Sequence, residues 1–332
     1  MDTINIGVVM DSINKINIFK DTTYAMLLEA QKRKYKIFYM EISDLYLKNN
    51  IAKSKVRILS IKNKEKKWCF FQNHEDIELQ NLDIILMRKD PPVNENFLNA
   101  TYILEYAENQ GTLIINKPKI LRNFNEKISS NIFRKYSPET IISCDYKIIK
   151  EFLEFHKEVI LKPTGFFGGH CVFYVKKQDP NFSVIYESIT KNGKNFCIAQ
   201  KFLPEIRKLG DKRIFLVDGE PIPYCFCRFP KYGEIRSNLS AGGTGKVELL
   251  SDQDWEISKS IGQILKKKEI FFAGLDVIGK YLTEINITSP TCMQQIERES
   301  SISIKKIFFD ILEEKIKKKS SMKKNKKKRY LL

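Results

Sequence analysis

The chain has 332 residues, 42% of them hydrophobic, with 57 Lys and Arg against 40 Asp and Glu for a net charge of +17. That length and apolar content exclude global disorder and predict two or three folded units. No run approaches the ~20 apolar residues of a membrane helix, and the start "MDTINIGVVMDS" lacks a leader pattern, so no membrane partner and a cytoplasmic location are expected.

"INIGVVM" (4–10) is a short apolar, β-branched run that predicts a strand, and "DTTYAMLLEAQKR" follows with an Asp/Thr start and helical spacing of its apolar residues. "YKIFYME" (35–41), "LDIILMRK" (82–89) and "GTLIIN" (111–116) repeat the strand signal, with a helical "ENFLNATYILEYAENQ" before the last. Residues 1–122 therefore read as a parallel α/β domain. From 123 to about 210 short strands and helices alternate with Gly/Pro breaks, as in "EVILKPTGFFGG" and "NFCIAQKFLPE", which predicts a small α+β unit. After it come a hairpin, a glycine-rich segment, an amphipathic helix over 252–268, the strands "FFAGLDVIG" and "YLTEINIT", and a terminal helix near 300–316. Residues 315–332 hold ten basic residues and no acid, leaving +7 for the first 314. By composition 317–332 is expected to be a disordered tail, basic through compositional bias or as a nonspecific polyanion contact; no specific nucleic-acid partner is implied. Seven cysteines without a CxxC pair read as reduced thiols, and the three histidines are not at zinc-ligand spacing.

Lys162 in "ILKP" sits in no Walker A loop; the nearest match, "SAGGTGKV", has Ser240 and Val247 at two required positions, and no GxGxxG is present. In "GLDVIGKYLTEINITSPT", strand alternation puts Glu284 and Asn286 on one face, roughly 7 Å apart. Asp276 reaches the same face if the strands pair through the Gly279-Lys280 turn. These are hard oxygen donors of the kind magnesium takes; a solvated sheet face is the alternative. "GDKRIFLVDGEPIPYCFCR" is two strands joined by Asp218-Gly219. A two-residue turn sets Arg213 opposite Tyr224 with Arg228 on the same side, so two guanidiniums converge on one anion or remain solvated charges. "EIRSNLSAGGTGK" is too small-residue-rich to pack a core, and is either a plain surface loop or a lid.

These segments, with "LMRKDPP", "ATYILE", "LRNFNEK" and "NLSAGG", resemble the bacterial glutathione synthetases of the ATP-grasp superfamily over nearly the whole chain to about residue 315. The resemblance implies an α/β and α+β chain: an N-terminal parallel α/β (pre-ATP-grasp) domain over 1–122 and an ATP-grasp domain over 123–316. The latter divides into a small lid subdomain (123–203) and a catalytic subdomain (204–316). It implies ATP-dependent ligation of γ-glutamylcysteine and glycine through an acyl phosphate, with Mg2+ or Mn2+, in a homo-oligomer (a tetramer). Lys127, Lys162, Gly168, Gly169 and Asp211 would contact ATP, and Gln200, Lys201, Phe202 and Leu203 would form the adenine hinge. Asp276, Glu284 and Asn286 would hold metal, Arg213 and Arg228 would neutralise the transferred phosphoryl group, and Arg88, Arg236 and Asn238 would contact substrate. Two positions depart from the family pattern: Phe166 replaces a loop glycine, and Thr244 replaces a lid arginine. Another ATP-grasp carboxylate-amine ligase, or a catalytically decayed polyanion-binding protein, are the alternatives.

Overall fold

The computed structural model describes residues 3–62, 67–166 and 168–329, with side chains to residue 318. Its N-terminal unit contains β1 (Asn5–Met10), α1 (Thr22–Lys32), β2 (Lys36–Met40), β3 (Leu45–Lys48), β4 (Ile51–Ile61), β5 (Cys69–Glu78), β6 (Ile84–Arg88), α2 (Glu95–Gln110), β7 (Leu113–Ile115) and α3 (Pro118–Asn123). A middle unit contains β8 (Thr140–Ser143), α4 (Tyr146–His156), β9 (Glu158–Pro163), β10 (Phe173–Lys176), α5 (Phe182–Thr190) and β11 (Cys197–Lys201). Then follow α6 (Ile206–Leu209), β12 (Asp211–Val217), β13 (Glu220–Phe229), β14 (Thr244–Leu249), α7 (Asp252–Lys267), β15 (Phe272–Ile278), β16 (Tyr281–Asn286), α8 (Met293–Glu299) and α9 (Ile304–Arg329). Helices start where the sequence supplies an acceptor for an otherwise orphaned amide. Asp21 accepts from Tyr24 N at 2.7 Å, Asn94 from Phe97 N at 3.0 Å, and Ser251 with Asp254 forms a reciprocal capping box.

Strands β2, β1, β6 and β7 are parallel neighbours, as their apolar runs predict. The sheet is not parallel throughout, however. β4 joins β2 antiparallel and forms hairpins with β3 and β5, giving seven strands in a mixed sheet. The alternation of buried Ala52, Ser54 and Val56 with Lys53 and Lys55 carries the signal for this strand. Strand order reverses at β1, so the loops after β1 and β6 open a crevice at the carboxyl ends of the strands.

The middle unit is a four-stranded antiparallel sheet, β10-β9-β11-β8, with its own core of Ile149, Leu153, Val159, Leu161, Val175, Phe182, Ile189, Cys197 and Ala199. The N-terminal sheet and the five-stranded sheet β14-β13-β12-β15-β16 instead share their cores: Val9, Phe38 and Met87 belong to one cluster with Ile214, Leu275 and Ile285, and Ile6 and Leu86 to another with Phe215, Phe272 and Phe308. The segment before β8 also belongs physically to the C-terminal sheet, because Ile285 N donates to Glu126 O (2.9 Å) and Leu282 N to Tyr136 O (2.7 Å). Helix α9 docks on α1 through Arg33, which meets Asp310 at 2.7 Å and Glu313 at 2.8 Å. It continues through Arg329, past the point at which composition predicts disorder; a docked first half supplies the costly helix nucleus and lysine propagates it. Residues 330–332 lie outside the described residues.

One side chain ties the first and last sheets together. Buried Asn116 donates to Phe272 O (2.7 Å) and Ile287 O (2.8 Å) and accepts from Phe271 N (2.9 Å) and Phe272 N (3.0 Å). All four of its hydrogen-bonding positions are used. Asn116→Ala orphans those backbone groups, so denaturant unfolding is expected to show a loss of about 2–5 kcal/mol at unchanged m-value.

Candidate active site

β15 and β16 pair so that Asp276 lies opposite Glu284 and Gly274 opposite Asn286, which puts the three predicted metal donors at one end of one sheet. The arginines arrive on β12 and β13. The hairpin starts in the predicted register, Val217 opposite Glu220, but shifts past Leu216, so Arg213 faces Phe226 rather than Tyr224 and Arg228 faces Asp211. The shift amounts to two residues on β13. Side-chain parity is therefore kept, and both guanidiniums still reach the Asp276 side.

There they form a buried charge lattice. Asp276 receives a two-pronged contact from Arg213, Nε to Oδ1 at 2.6 Å and Nη2 to Oδ2 at 3.0 Å, while Arg228 Nη2 sits 2.6 Å from Asp211 Oδ2 and 3.0 Å from Asp276 Oδ1. Arg213 and Arg228 are each 4% exposed, Asp276 5% and Asp211 9%. A Cβ on Gly274 would approach Arg213 Cδ to 2.8 Å, so glycine there makes room for the guanidinium. Burial opposes ionisation of Asp276, but the two arginines outweigh it and hold its pKa well below the carboxylate range. Asp211, with burial the larger effect and Asp276 adding repulsion, is pushed up to about 6. Its Oδ1 is buried and has no hydrogen-bond partner among the described residues.

Two cavities flank this lattice. The first, of about 880 Å³, lies between the middle sheet and the C-terminal sheet and is lined by Lys127, Lys162, Gly168, Gly169, Gln200 to Leu203, Asp211, Arg236, Asn238, Asp276 and Glu284 among others. Lys127 Nζ meets Glu284 Oε1 at 2.9 Å and donates to the Phe166 carbonyl, and Lys162 Nζ donates to Gln200 Oε1 at 3.1 Å. Burial disfavours both ammoniums. At Lys127 the Glu284 carboxylate more than offsets it and raises the pKa, whereas at Lys162 burial prevails and lowers it to about 8. The amides of Lys201 and Phe202 already donate to Glu139 O and Glu158 O, so those two are not the ones an adenine edge can use.

Two loops meet over this cavity. Gly168 and Gly169 have φ of 66° and 78°, and a Cβ on Gly169 would lie 2.3 Å from Asn238 Oδ1. Ser240 Oγ donates to Gly168 O (3.2 Å), and Arg236 Nη1 to Gly169 O (3.5 Å). The segment read as a surface loop or a lid is thus anchored, with Ser237 Oγ donating to Asp211 Oδ2 at 3.0 Å. Phe166 is 54% exposed and takes part through its carbonyl; Phe167 lies outside the described residues. Thr244 opens β14 opposite Phe229.

The second cavity, of about 1170 Å³, shares Gly168, Asn238, Asp276 and Glu284 with the first and adds Lys20, Asp21, Asp90, Glu126, Arg213, Arg228, Asn286, Cys292 and Gln295 among its walls. Arg88 is set back from it. Its guanidinium donates to Thr23 Oγ1 (3.1 Å) and Pro290 O (3.2 Å), and it lines a small void with Met26, Asn116 and Phe272. Sequence reading passed over Glu126, although it adjoins Lys127. Its carboxylate accepts from Ile287 N (2.7 Å), Thr288 N (2.8 Å) and Thr288 Oγ1 (2.9 Å), fixing the chain after β16. Asp21, Asp90 and Ser237 were also missed, since nothing local separates them from caps and loop residues.

A nucleotide-sized cleft between two α+β units, gripped by a lysine from each side and lacking a Walker loop, defines an ATP-grasp ligase. Solved structures agree on the fold: the D-cycloserine synthetase DcsG aligns with TM-score 0.63 at 11% identity over 94% of this chain and 99% of that one, and D-alanyl-alanine synthetase A from Vibrio cholerae with 0.58 at 12% over 95% and 99%. The chain belongs to the prokaryotic glutathione synthetase family, whose N-terminal domain matches residues 4–122 and whose ATP-grasp domain matches 126–301. Glutathione synthetase of Buchnera aphidicola subsp. Baizongia pistaciae is 50% identical over 96% of this chain and 98% of its own length, and that of Escherichia coli K12 is 49% identical over 94% and 99%.

The Lys162 ammonium has a direct consequence for pH dependence. It is charged below pH about 8 in the free protein and neutral above it. ATP affinity is therefore expected to fall as pH rises through that value, by up to tenfold per unit, and Lys162→Arg to flatten the profile, both read by equilibrium titration with ATP.

Proposed function

We propose that the chain joins γ-glutamylcysteine to glycine, forming glutathione, ADP and phosphate, and that the two cavities divide the work. The carrying observation is their common wall of Gly168, Asn238, Asp276 and Glu284, which lets a phosphoryl group on one side face a carboxylate on the other. In this reading the cysteinyl carboxylate attacks the γ-phosphorus of ATP in line, ADP leaves, and an acyl phosphate forms. The glycine amine then attacks the acyl carbon and expels phosphate. Lys127 and Lys162 hold the nucleotide phosphates, Gln200 to Leu203 border the base, and Asp211 with Gly168 and Gly169 completes the nucleotide side. Arg213 and Arg228, already fixed by Asp276 and Asp211, face the developing negative charge without having to reorganise, which is the source of most such stabilisation.

Asp276, Glu284 and Asn286 offer hard oxygen atoms on one sheet end, a set suited to Mg2+ or Mn2+ shared with phosphates. Of the two carboxylates Glu284 is the less committed, since it meets only the Lys127 ammonium at 2.9 Å whereas Asp276 is engaged by both arginines; Asn286 Nδ2 donates to Gly274 O at 3.2 Å and leaves its Oδ1 for an ion. When bound, the ion would neutralise phosphate oxygens. Arg236 and Asn238, on the loop that meets Gly168 and Gly169, contact substrate and exclude the water that would destroy an acyl phosphate. Arg88 acts from behind the substrate cavity, as a counter-charge to its carboxylates. The middle unit from β8 to β11 serves as the lid subdomain, and the C-terminal sheet, with the segment before β8 bonded to it, as the catalytic one, in a cytoplasmic homo-oligomer; no helix among the described residues is long and apolar enough to cross a membrane.

Phosphate release from ATP with Mg2+, omitting γ-glutamylcysteine or glycine in turn, tests the reading. Release should require both and match glutathione one to one. Release that is absent from a folded, ATP-binding protein, or that needs a different acceptor, overturns it. Arg228→Lys keeps the charge but loses the planar fork, and is expected to lower kcat by about 100-fold with little change in ATP affinity.

A further inference from the structure

Helix α9 changes character along its length. Its first half is docked: Phe308, Phe309 and Leu312 are buried in the core, and Asp310 and Glu313 are taken by Arg33 at 2.7 and 2.8 Å. Ile316 packs against the same core, Lys315 is balanced by Asp218 at 2.7 Å, and Glu314 is the last acid of the chain. From Lys317 the helical backbone runs on to Arg329 through eight lysines, one arginine and no acid, with Met322 as the sole apolar residue.

These thirteen residues of helix span about 20 Å. Their nine basic residues therefore fall about one per 2 Å of axis, close to the one phosphate per ~1.7 Å that duplex DNA presents. Successive helical positions lie about 100° apart, so the runs 317–319 and 326–329 place basic positions round most of the circumference and not along one stripe. A flat anionic surface meets one side of such a rod; a groove with phosphates on both walls meets two. The major groove of B-form DNA, roughly 12 Å wide, admits a helix of about 10–12 Å, and the deep, narrow major groove of A-form RNA does not. A helix that lies on a bilayer needs an apolar face, which 317–329 lacks. Lysine meets phosphate as a point charge, without the planar fork suited to a base edge. We propose that the C-terminal half of α9 is an arm that binds duplex DNA in the major groove, neutralising phosphates without reading sequence. Docking of the first half on α1 supplies the helix nucleus, so little order has to be created on binding. Like charges four residues apart, as at Lys319 with Lys323 and Lys324 with Lys328, weaken the free helix, and phosphates remove that repulsion.

Fluorescence anisotropy of a labelled DNA duplex of about 20 base pairs, titrated with the full chain, is the test. Binding should not depend on the sequence of the duplex, and log Kobs should fall against log salt with a slope of about −5, roughly a 1000-fold loss between about 50 and 200 mM. In the full-length variant K323Q/K324Q/K326Q/K327Q/K328Q, glutamine keeps nearly the helix propensity of lysine. That variant should bind at least about 100-fold more weakly, with a slope near about −1. K55Q/K119Q/K147Q/K191Q/K194Q removes the same charge from exposed positions of the folded body and should change neither affinity nor slope. Absence of binding at about 50 mM salt overturns the proposal. An equal loss in the two variants does so as well, because it assigns the affinity to net charge alone. Duplex RNA of the same sequence, or phosphatidylserine vesicles, bound as tightly as the DNA or more so, also overturn it, since the fit to the groove is then not what selects the partner.

Discussion

Everything at the centre of this molecule depends on the mutual neutralisation of Arg213, Arg228, Asp276 and Asp211. Each is removed from water, and each would be intolerable there alone. Their pairing fixes the register of three neighbouring strands, dictates the glycine at 274, and presents two guanidinium groups to the cavity in one orientation. Deleting any one member strands its partner's charge, which is why stability and activity are inseparable at these positions. The lattice also explains an asymmetry among the predicted metal donors. Asp276 is spent on holding arginines, while Glu284 is balanced by a single lysine that a phosphate would compete for.

A second constraint lies in how apolar surface is divided. The first and last sheets share continuous cores and are fastened by Asn116, so they behave as one rigid base. The middle sheet keeps its nine-residue core to itself, and it meets the base across the nucleotide cavity through polar contacts such as those between the Gly168-Gly169 loop and Arg236, Asn238 and Ser240. Polar contacts of that kind can be exchanged for water at small net cost, unlike a hydrophobic seam. A unit with its own core and a wet boundary can open and shut without unfolding.

Much of this was legible in the residues. Apolar runs marked the parallel strands, Asp218-Gly219 marked the hairpin, and alternation in "YLTEINIT" put Glu284 and Asn286 on one face, all because each depends on neighbours a few positions away. What escaped was set by distant partners. The antiparallel β4 is hard to read because lysines occupy its outward positions and its partners lie on both sides in sequence, and the register past Leu216 because nothing local announces the extra residues. Asp21 is indistinguishable from an ordinary helix cap until the loop after β6 is folded against it. The continuation of α9 follows from docking on α1, which composition does not report.

The shifted register in β13 carries an evolutionary implication. Because two residues rather than one are accommodated, Arg228 keeps its orientation toward the lattice. Insertions and deletions between Pro221 and Tyr224 should therefore be filtered by whether their length is odd or even. An even change slides the strand and preserves which side each residue faces; an odd one turns Arg228 into the apolar layer and sends Cys227 toward the charges.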